Sequence, residues 1–396
     1  DGRAKRGESL AGKTIALAAV LVTLLAAGTL LSACAQQRTT SQFAVAQPAI
    51  PQKASENNPE AWLDALEQNP IDQSFVDSLA AFAYRSTASV LGDGADDAKA
   101  NRMYSPLSLY YALALANEGA AGQTRDEIAS VLGAPSTVDV PSSAATVPRA
   151  DNRILSPRSI GEFHMDGEGR LFEQSFIDTA IGQFYATPFS VEFGTDAADQ
   201  AMAAWISENT GGTIDPQVKT ESDLLLSIIN AVYFKGGWMD TFDAANTAPA
   251  VFHAASGDVE TQFMTQRIDS LQGFRQTDDF LRARLAFTGG TMMTFVLPAE
   301  GVSVDDLLAD EQRLAQAFAV DANEDEYGFI TYVVPKVAFD TELDLIPALE
   351  RLGMKTPFSD KADFSNLTAT PAFISMVKQE SHISWDEEDL EIFSIR

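Results

Sequence analysis

From Leu224 to Phe234 the chain reads LLLSIINAVYF, apolar at almost every position. A run this short, rich in Leu, Ile and Val and closed by Lys235-Gly236-Gly237, predicts a strand buried on both faces rather than a helix. Asn230 sits at its middle, and a buried amide there needs hydrogen-bond partners from neighbouring strands. After the two glycines turn the chain, Trp238, Phe242 and Phe252 are expected to bring large aromatic faces back onto the same sheet.

Helical spacing dominates the chain before this run. Phe75, Leu79, Phe82 and Ala83 form one apolar stripe and predict an amphipathic helix through about Val90. Ser105-Pro106 reads as an N-cap followed by the first helical position, where the missing N–H of proline costs nothing. Leu107, Tyr110, Tyr111, Ala114 and Leu115 continue that helix to Gly119. Thr124-x-x-Glu127 reads as a capping box opening the next helix. Residues 136–170 are rich in Ser, Pro and Gly and predict no strand. Phe172–Tyr185 is expected as a helix, Ser190–Phe193 as a short strand and Asp199–Thr210 as a helix with Met202, Trp205 and Ile206 inward. Beyond Phe252, Val259–Met264, Phe280–Phe287, Met292–Pro298 and Phe329–Lys336 read as strands, and Val304–Phe318 as helix. Ile383 and Trp385 alternate with His382 and Ser384, as in a half-buried strand. Helices mixed with alternating, antiparallel-type strands give an α+β class.

Three blocks carry a resemblance that this patterning alone does not explain. The first is Asn101-x-x-x-Ser105-Pro106-Leu107-Ser108 with Gly119-Ala-Ala-Gly-Gln-Thr124. The second is Asn230-Ala-Val-Tyr-Phe-Lys-Gly-Gly-Trp238 with Phe242, Thr247 and Phe252. The third is Pro335-Lys336, then Asp344 to Gly353, then Ala362-Asp-Phe-Ser365. Together they make the chain similar to the serpins over most of residues 60–396. The resemblance implies a large, mostly antiparallel central sheet with smaller sheets, surrounded by helices. It also implies a serine-protease inhibitor with no catalytic residues and no cofactor. A bait loop is cleaved by the target protease and inserts into the large sheet as a new strand.

What the resemblance implies for individual residues follows the same blocks. Ser105, Ser108, Asn230 and Gln379 fall where the family keeps a polar cluster beneath the opening strands, and Trp238 falls at the top of the sheet, where insertion begins. Each also has a local reading: Ser105 as a helix cap, Asn230 as a satisfied core amide, Trp238 as simple core. Glu387-Glu388 matches the acidic pair before the family's hinge. There the family continues with Gly, Thr-Glu and a run of Ala, whereas this chain has Asp389, Leu390, Glu391, Ile392 and Phe393, of which Glu391 alone fits. On this reading the bait loop and a C-terminal pair of strands are missing after Arg396, through a broken reading frame or in a naturally short, non-inhibitory relative. Apolar surface would then be exposed or the domain destabilised.

Charge and the N-terminus set the address. Formal charge is −29, from 56 acidic against 27 basic side chains. A body this acidic repels phosphate backbones, which argues against nucleic acid and polyanionic cofactors as partners. Arg3, Lys5, Arg6 and Lys13 precede an apolar stretch from Ile15 to Leu31, and Leu31-Ser-Ala-Cys34 resembles a bacterial lipobox. Residues 1–34 are thus expected as a lipoprotein signal with Cys34 taking the lipid, an uncleaved membrane anchor being the alternative. Residues 35–59, rich in Gln, Pro, Ser and Asn, are expected as a flexible tether. The body is placed outside the cytoplasmic membrane, lipid-anchored at the surface or secreted, and is expected as a monomer; if it is inhibitory, the resemblance implies secreted or host serine proteases of chymotrypsin or subtilisin type as partners. Cys34 is the single cysteine, so no internal disulfide forms.

A hydrolase is the competing class. The three histidines, His164, His253 and His382, fall in no H-E-x-x-H motif, and no G-x-S-x-G elbow, P-loop or dinucleotide fingerprint occurs. Acidic pairs such as Asp278-Asp279 and Asp305-Asp306 read as solvated turns. Growth of a bacterial expression host with labelled palmitate checks the address: label is expected on the chain and lost in Cys34→Ala, and label that survives the substitution contradicts the lipobox.

Overall fold

The computed structural model describes residue 44 and residues 73–92, 101–133, 158–163, 172–189, 191–209, 218–222, 224, 226–254, 257–288, 291–318 and 326–395. Cys34, His164 and the expected signal at residues 1–34 lie outside these residues, and within 35–59 Ala44 is the described residue. In chain order the elements are helices α1 (Gln73–Leu91), α2 (Pro106–Gly119) and α3 (Gly122–Leu132), strand β1 (Arg158–Phe163), helices α4 (Gln174–Phe184) and α5 (Asp196–Asn209), and strand β2 (Leu226–Gly237). Strands β3 (Ala248–Ala254), β4 (Gly257–Arg267), β5 (Gln272–Gln276), β6 (Phe280–Ala286) and β7 (Met292–Pro298) follow. Short helices α6 (Val304–Leu308) and α7 (Glu311–Phe318) lead to β8 (Glu326–Gly328), β9 (Thr331–Pro335), β10 (Val337–Asp344), helix α8 (Ile346–Arg351), β11 (Lys378–Trp385) and β12 (Asp389–Ile395).

These strands form a five-stranded sheet in the order β1-β2-β12-β11-β10, a three-stranded sheet β3-β4-β9 and a four-stranded sheet β7-β6-β5-β8. Every pairing is antiparallel. The expected strand in the 224–234 run is β2, and it is covered on both faces as its composition requires. Leu226 and Ile228 pack against the cluster built by α1 to α4, which holds Phe82, Tyr110, Leu115 and Phe176. Ile229 and Ala231 belong instead to a cluster with Phe189, Trp205 and Ile206, the inner stripe of α5. Helix α2 starts as its sequence dictates: Ser105 is the N-cap, its side chain accepting from the Ser108 N–H, and Pro106 takes the first position.

Four expectations are corrected. Residues 136–170 do contain a strand: β1 pairs with β2 from Arg158↔Ala231 to Phe163↔Leu226. Its sequence, Arg-Ser-Ile-Gly-Glu-Phe, has neither clean alternation nor β-branched enrichment, so its neighbour rather than its own pattern specifies it. The segment Val191–Phe193 is no strand; Val191 and Phe193 are buried in the α5 cluster through irregular backbone. Phe252 does not return to the core, because on the β3–β4 hairpin it faces water at 45% exposure. Thr124 and Glu127 do not cap their own helix. Helix α3 begins earlier, at Gly122, with Ala121 as an uncapped N-terminus.

Both side chains instead tie α3 to the segment after α8. The Thr124 hydroxyl accepts from the Asp363 N–H at 2.8 Å. Glu127 accepts from the N–H groups of Lys355 and Thr356 at 2.8 and 2.7 Å and from the Thr356 hydroxyl at 2.6 Å. Burial works against the Glu127 carboxylate, but these donors and Gln123 outweigh it and hold its pKa down, to about 2. A lowered native pKa means the stabilisation is present above the unfolded value near 4.5 and fades as pH falls towards 2. Glu127→Gln is therefore expected to cost about 1–2 kcal/mol at neutral pH. In urea titrations from pH 7 to pH 3 the gap to the parent should narrow below the unfolded carboxylate range; a gap of constant size contradicts the assignment.

Candidate functional site in the five-stranded sheet

The centre of the large sheet is its last strand in sequence. Strand β12 lies between β2 and β11 and pairs with both, Asp389↔Gly237 to Ile395↔Ala231 on one side and Leu390↔Trp385 to Ile395↔Glu380 on the other. Its side chains alternate to suit the slot. Leu390 and Ile392 enter the cluster of Trp238, Leu285 and Phe287, and Ser394, fully buried, meets the Ser381 hydroxyl at 2.9 Å. On the opposite face Glu391 is partly exposed, Phe393 is buried at 8% exposure, and Ile395 slides under α5. Bulky residues thus occupy the positions where small ones were expected, and buried apolar side chains there stabilise the filled sheet by roughly 2 kcal/mol apiece.

A two-residue turn, Glu387-Glu388, joins β11 to β12. Asp386 shapes it: its N–H donates to the Asp389 carbonyl, and its carboxylate accepts from the N–H groups of Glu388 and Asp389. The turn is clamped from outside by the segment that follows β2. The backbone N–H of Trp238 donates to the Glu388 carbonyl and that of Phe242 to the Glu387 carbonyl, each at 3.0 Å. The Trp238 indole N–H donates to the Asp386 carbonyl at 2.9 Å. Its ring is 2% exposed and stacks on Phe287 at 4.7 Å. Gly236 permits this packing, since a Cβ there would lie 2.8 Å from the Phe234 ring and 2.9 Å from that of Phe287.

The Glu387 side chain completes the clamp. Lys336 Nζ donates to one carboxylate oxygen at 2.6 Å and the Thr247 hydroxyl to the other at 2.8 Å. These two donors, Lys336 foremost, pull its pKa down to about 2. Lys336 and Thr247 stand in the recognised blocks of the sequence, yet patterning alone does not mark them as partners of a residue so far along the chain. Glu388, by contrast, contributes its backbone N–H and carbonyl among the described residues. Asp389 and Glu391 lie on the solvent face, where Lys235 bridges them at 3.2 and 3.7 Å and the Tyr233 hydroxyl donates to Glu391 at 2.8 Å.

The polar cluster is partly assembled. Gln379, fully buried on β11, grips the backbone of Ser105: its amide oxygen accepts from the Ser105 N–H at 2.7 Å and its amide nitrogen donates to the Ser105 carbonyl at 3.0 Å. Ser105 in turn caps α2, so the sheet and the helix beneath it are bonded directly. Asn230 and Ser108 are fully buried too, but their side-chain polar atoms have no hydrogen-bond partner among the described residues. The expectation that neighbouring strands satisfy the Asn230 amide is not met. No group of three or more His, Cys, Asp or Glu side chains that could hold a metal ion occurs among the described residues. The arrangement offers a seat for an extended segment between two strand edges.

Comparison with known proteins points the same way. A family model described as "Serpin (serine protease inhibitor)" matches residues 78–394. The chain is 28% identical to Serpin-ZX of Hordeum vulgare over 342 residues, which covers 78% of this chain and 83% of that protein. Its fold is similar to reaction-loop-cleaved lamprey angiotensinogen, with a TM-score of 0.69 at 24% identity, covering 82% of this chain and 97% of the other. It is also similar to tengpin, a thermophilic serpin in its latent state, with a TM-score of 0.72 at 21% identity, covering 82% and 88%. These structural likenesses carry the fold: an α+β body with a large antiparallel sheet.

The clamp is open to test. Glu387→Lys sets two cations against each other at Lys336 and is expected to lower stability by about 1–2 kcal/mol. It should also shift the fluorescence of Trp238, whose indole is fixed to the same turn. Unchanged stability and emission contradict the clamp.

Proposed function

This chain belongs to the serpin family, and from that premise we propose that it acts on serine proteases by strand trapping, with the position now held by β12 as the seat of the trapped segment. The observation that carries the reading is β12 itself, hydrogen-bonded on both edges in the middle of the large sheet. Protease-inhibitor-type function holds at the level of the family, whose members are generally inhibitors rather than catalysts. Filling a gap between β2 and β11 gains two ladders of backbone hydrogen bonds and the burial of Leu390, Ile392, Phe393 and Ile395. That gain is the energy available to drag an attached protease out of shape.

A second reading is supported by one feature of the sequence. Leu390, Ile392 and Phe393 stand where the resemblance implies small hinge residues, and large side chains slow passage between packed strands. The family also holds non-inhibitory members. On this reading the chain is a surface-anchored binding protein whose sheet stays filled. Under either reading the acidic body excludes nucleic acid, and the Leu31–Cys34 segment supports lipid anchoring outside the cytoplasmic membrane, with the tether leading to a monomeric domain.

Mixing the lipid-free domain with chymotrypsin- and subtilisin-type proteases separates the two. The readout is a complex that survives boiling in detergent. A polypeptide that stops at Arg396 with β12 seated is expected to give none, because its slot is occupied. One carried further along its reading frame, with β12 held out of the sheet, is expected to give one. Absence of complex from that longer form, with protease activity intact, favours the non-inhibitory reading.

A further inference from the structure

Helix α5 covers the end of β12 that is farthest from the clamped turn. Trp205 and Ile206 on the helix, Ile229 and Ala231 on β2, and Ile395 on β12 share one buried cluster. Interiors packed in this way have no slack, so the last residue of β12 enters or leaves its place between β2 and β11 only when α5 yields.

One buried carboxylate on α5 is used by nothing in the sheet. The helix is already capped by Thr195, whose hydroxyl accepts from the Ala198 N–H at 3.3 Å. Asp199, 9% exposed, turns instead to the segment just ahead of β2. Its Oδ1 accepts from the Thr220 N–H at 2.8 Å and from the Thr220 hydroxyl at 2.9 Å, and its Oδ2 accepts from Lys219 Nζ at 2.7 Å. The Thr220 hydroxyl accepts in turn from the N–H of Gly194, just before the helix, at 2.9 Å. A Cβ on Gly194 would lie 2.8 Å from that of Ser222, so the two stretches are in direct contact. Val218 and Leu224, on either side of Thr220, pack on the same cluster as Ile395.

These bonds are not of equal weight. The Lys219 side chain is 78% exposed, and an ion pair so open to water contributes little. The two bonds from Thr220 are buried, and a buried carboxylate deprived of its donors keeps the full cost of desolvation. The tie is therefore carried by Asp199 and Thr220.

We propose that Asp199 is a positioning residue for the seating of β12: by tying the first turn of α5 to Thr220, it holds the helix closed over the far end of the slot and sets how readily that end opens. The inference rests on the strand-trapping reading, in which this slot receives the trapped segment, and deepens it by naming what guards the last positions of the slot.

Amide hydrogen exchange along β12 in the full chain tests it. The amides of Ser394 and Ile395, at the end under α5, are read against those of Leu390 and Glu391 at the clamped end. Asp199→Ala is expected to speed exchange at Ser394 and Ile395 about tenfold while leaving Leu390 and Glu391 within about twofold of the parent. Asp199→Asn keeps an oxygen for both Thr220 donors and should give back much of the protection. Thr220→Val should show the same one-ended pattern in milder form, and it carries the test should Asp199→Ala fail to fold. The two changes combined should cost less than the sum of their separate effects, because they break one tie. Lys219→Met should change little. Equal acceleration at both ends, no acceleration under α5, Asp199→Asn no better than Asp199→Ala, or fully additive effects each overturns the assignment. No protease enters the measurement, so its failure leaves the trapping reading standing, and failure to trap a protease leaves the tie across α5 standing.

Discussion

Two facing strand edges cannot both be left without partners inside a sheet. Each backbone N–H and C=O along β2 and β11 needs a hydrogen bond, and a buried group without one costs more than a made bond returns. The segment Asp389–Ile395 answers both edges at once, antiparallel to each. The rest of the architecture is consistent with that demand. One cluster backs the sheet through α2, a second covers it through α5, and Ile395 belongs to the second. The filled slot therefore couples the end of the described chain to both layers of the body.

A strand seated in this way has to be entered from one end, and the structure shows how that end is fixed. Glu387, Glu388 and Asp386 are bound by Trp238, Phe242, Lys336 and Thr247, which come from the segments around β2, β3 and β9. Directional hydrogen bonds specify the turn, while apolar burial of Leu390 and Ile392 holds the strand behind it. At the other side of the sheet Gln379 joins β11 to the cap of α2. A disturbance at either clamp reaches the seat of β12 through a single strand.

The elements with strong periodicity were legible in the sequence. The apolar run at β2, the stripes of α1, α2, α4 and α5, and the Ser105-Pro106 cap all depend on local pattern that tertiary structure reinforces. What was not legible depends on partners distant in sequence. β1 has no strand signature and exists because β2 offers an edge. Thr124 and Glu127 have the spacing of a capping box, yet Lys355, Thr356 and Asp363 compete for their oxygens and win. Within the site, Glu387 and Trp238 were marked by the resemblance, but their partners Lys336, Thr247 and Asp386 were not. Asn230 shows the converse: its burial was legible, but its amide has no hydrogen-bond partner among the described residues.

The account stands on β12 lying against β2, since a hairpin of β11 and β12 alone could form outside the sheet. Val232 and Ser394 are Cα partners across that boundary. Cysteines placed at both, in a Cys34→Ser background, sit within cross-strand reach of each other. Mild oxidation followed by thiol counting should show an internal disulfide between them in the native domain and none when either cysteine is present singly. Two thiols that stay free in the folded, oxidised protein would mean that β12 is not seated beside β2, and the strand-trapping account would fail with it.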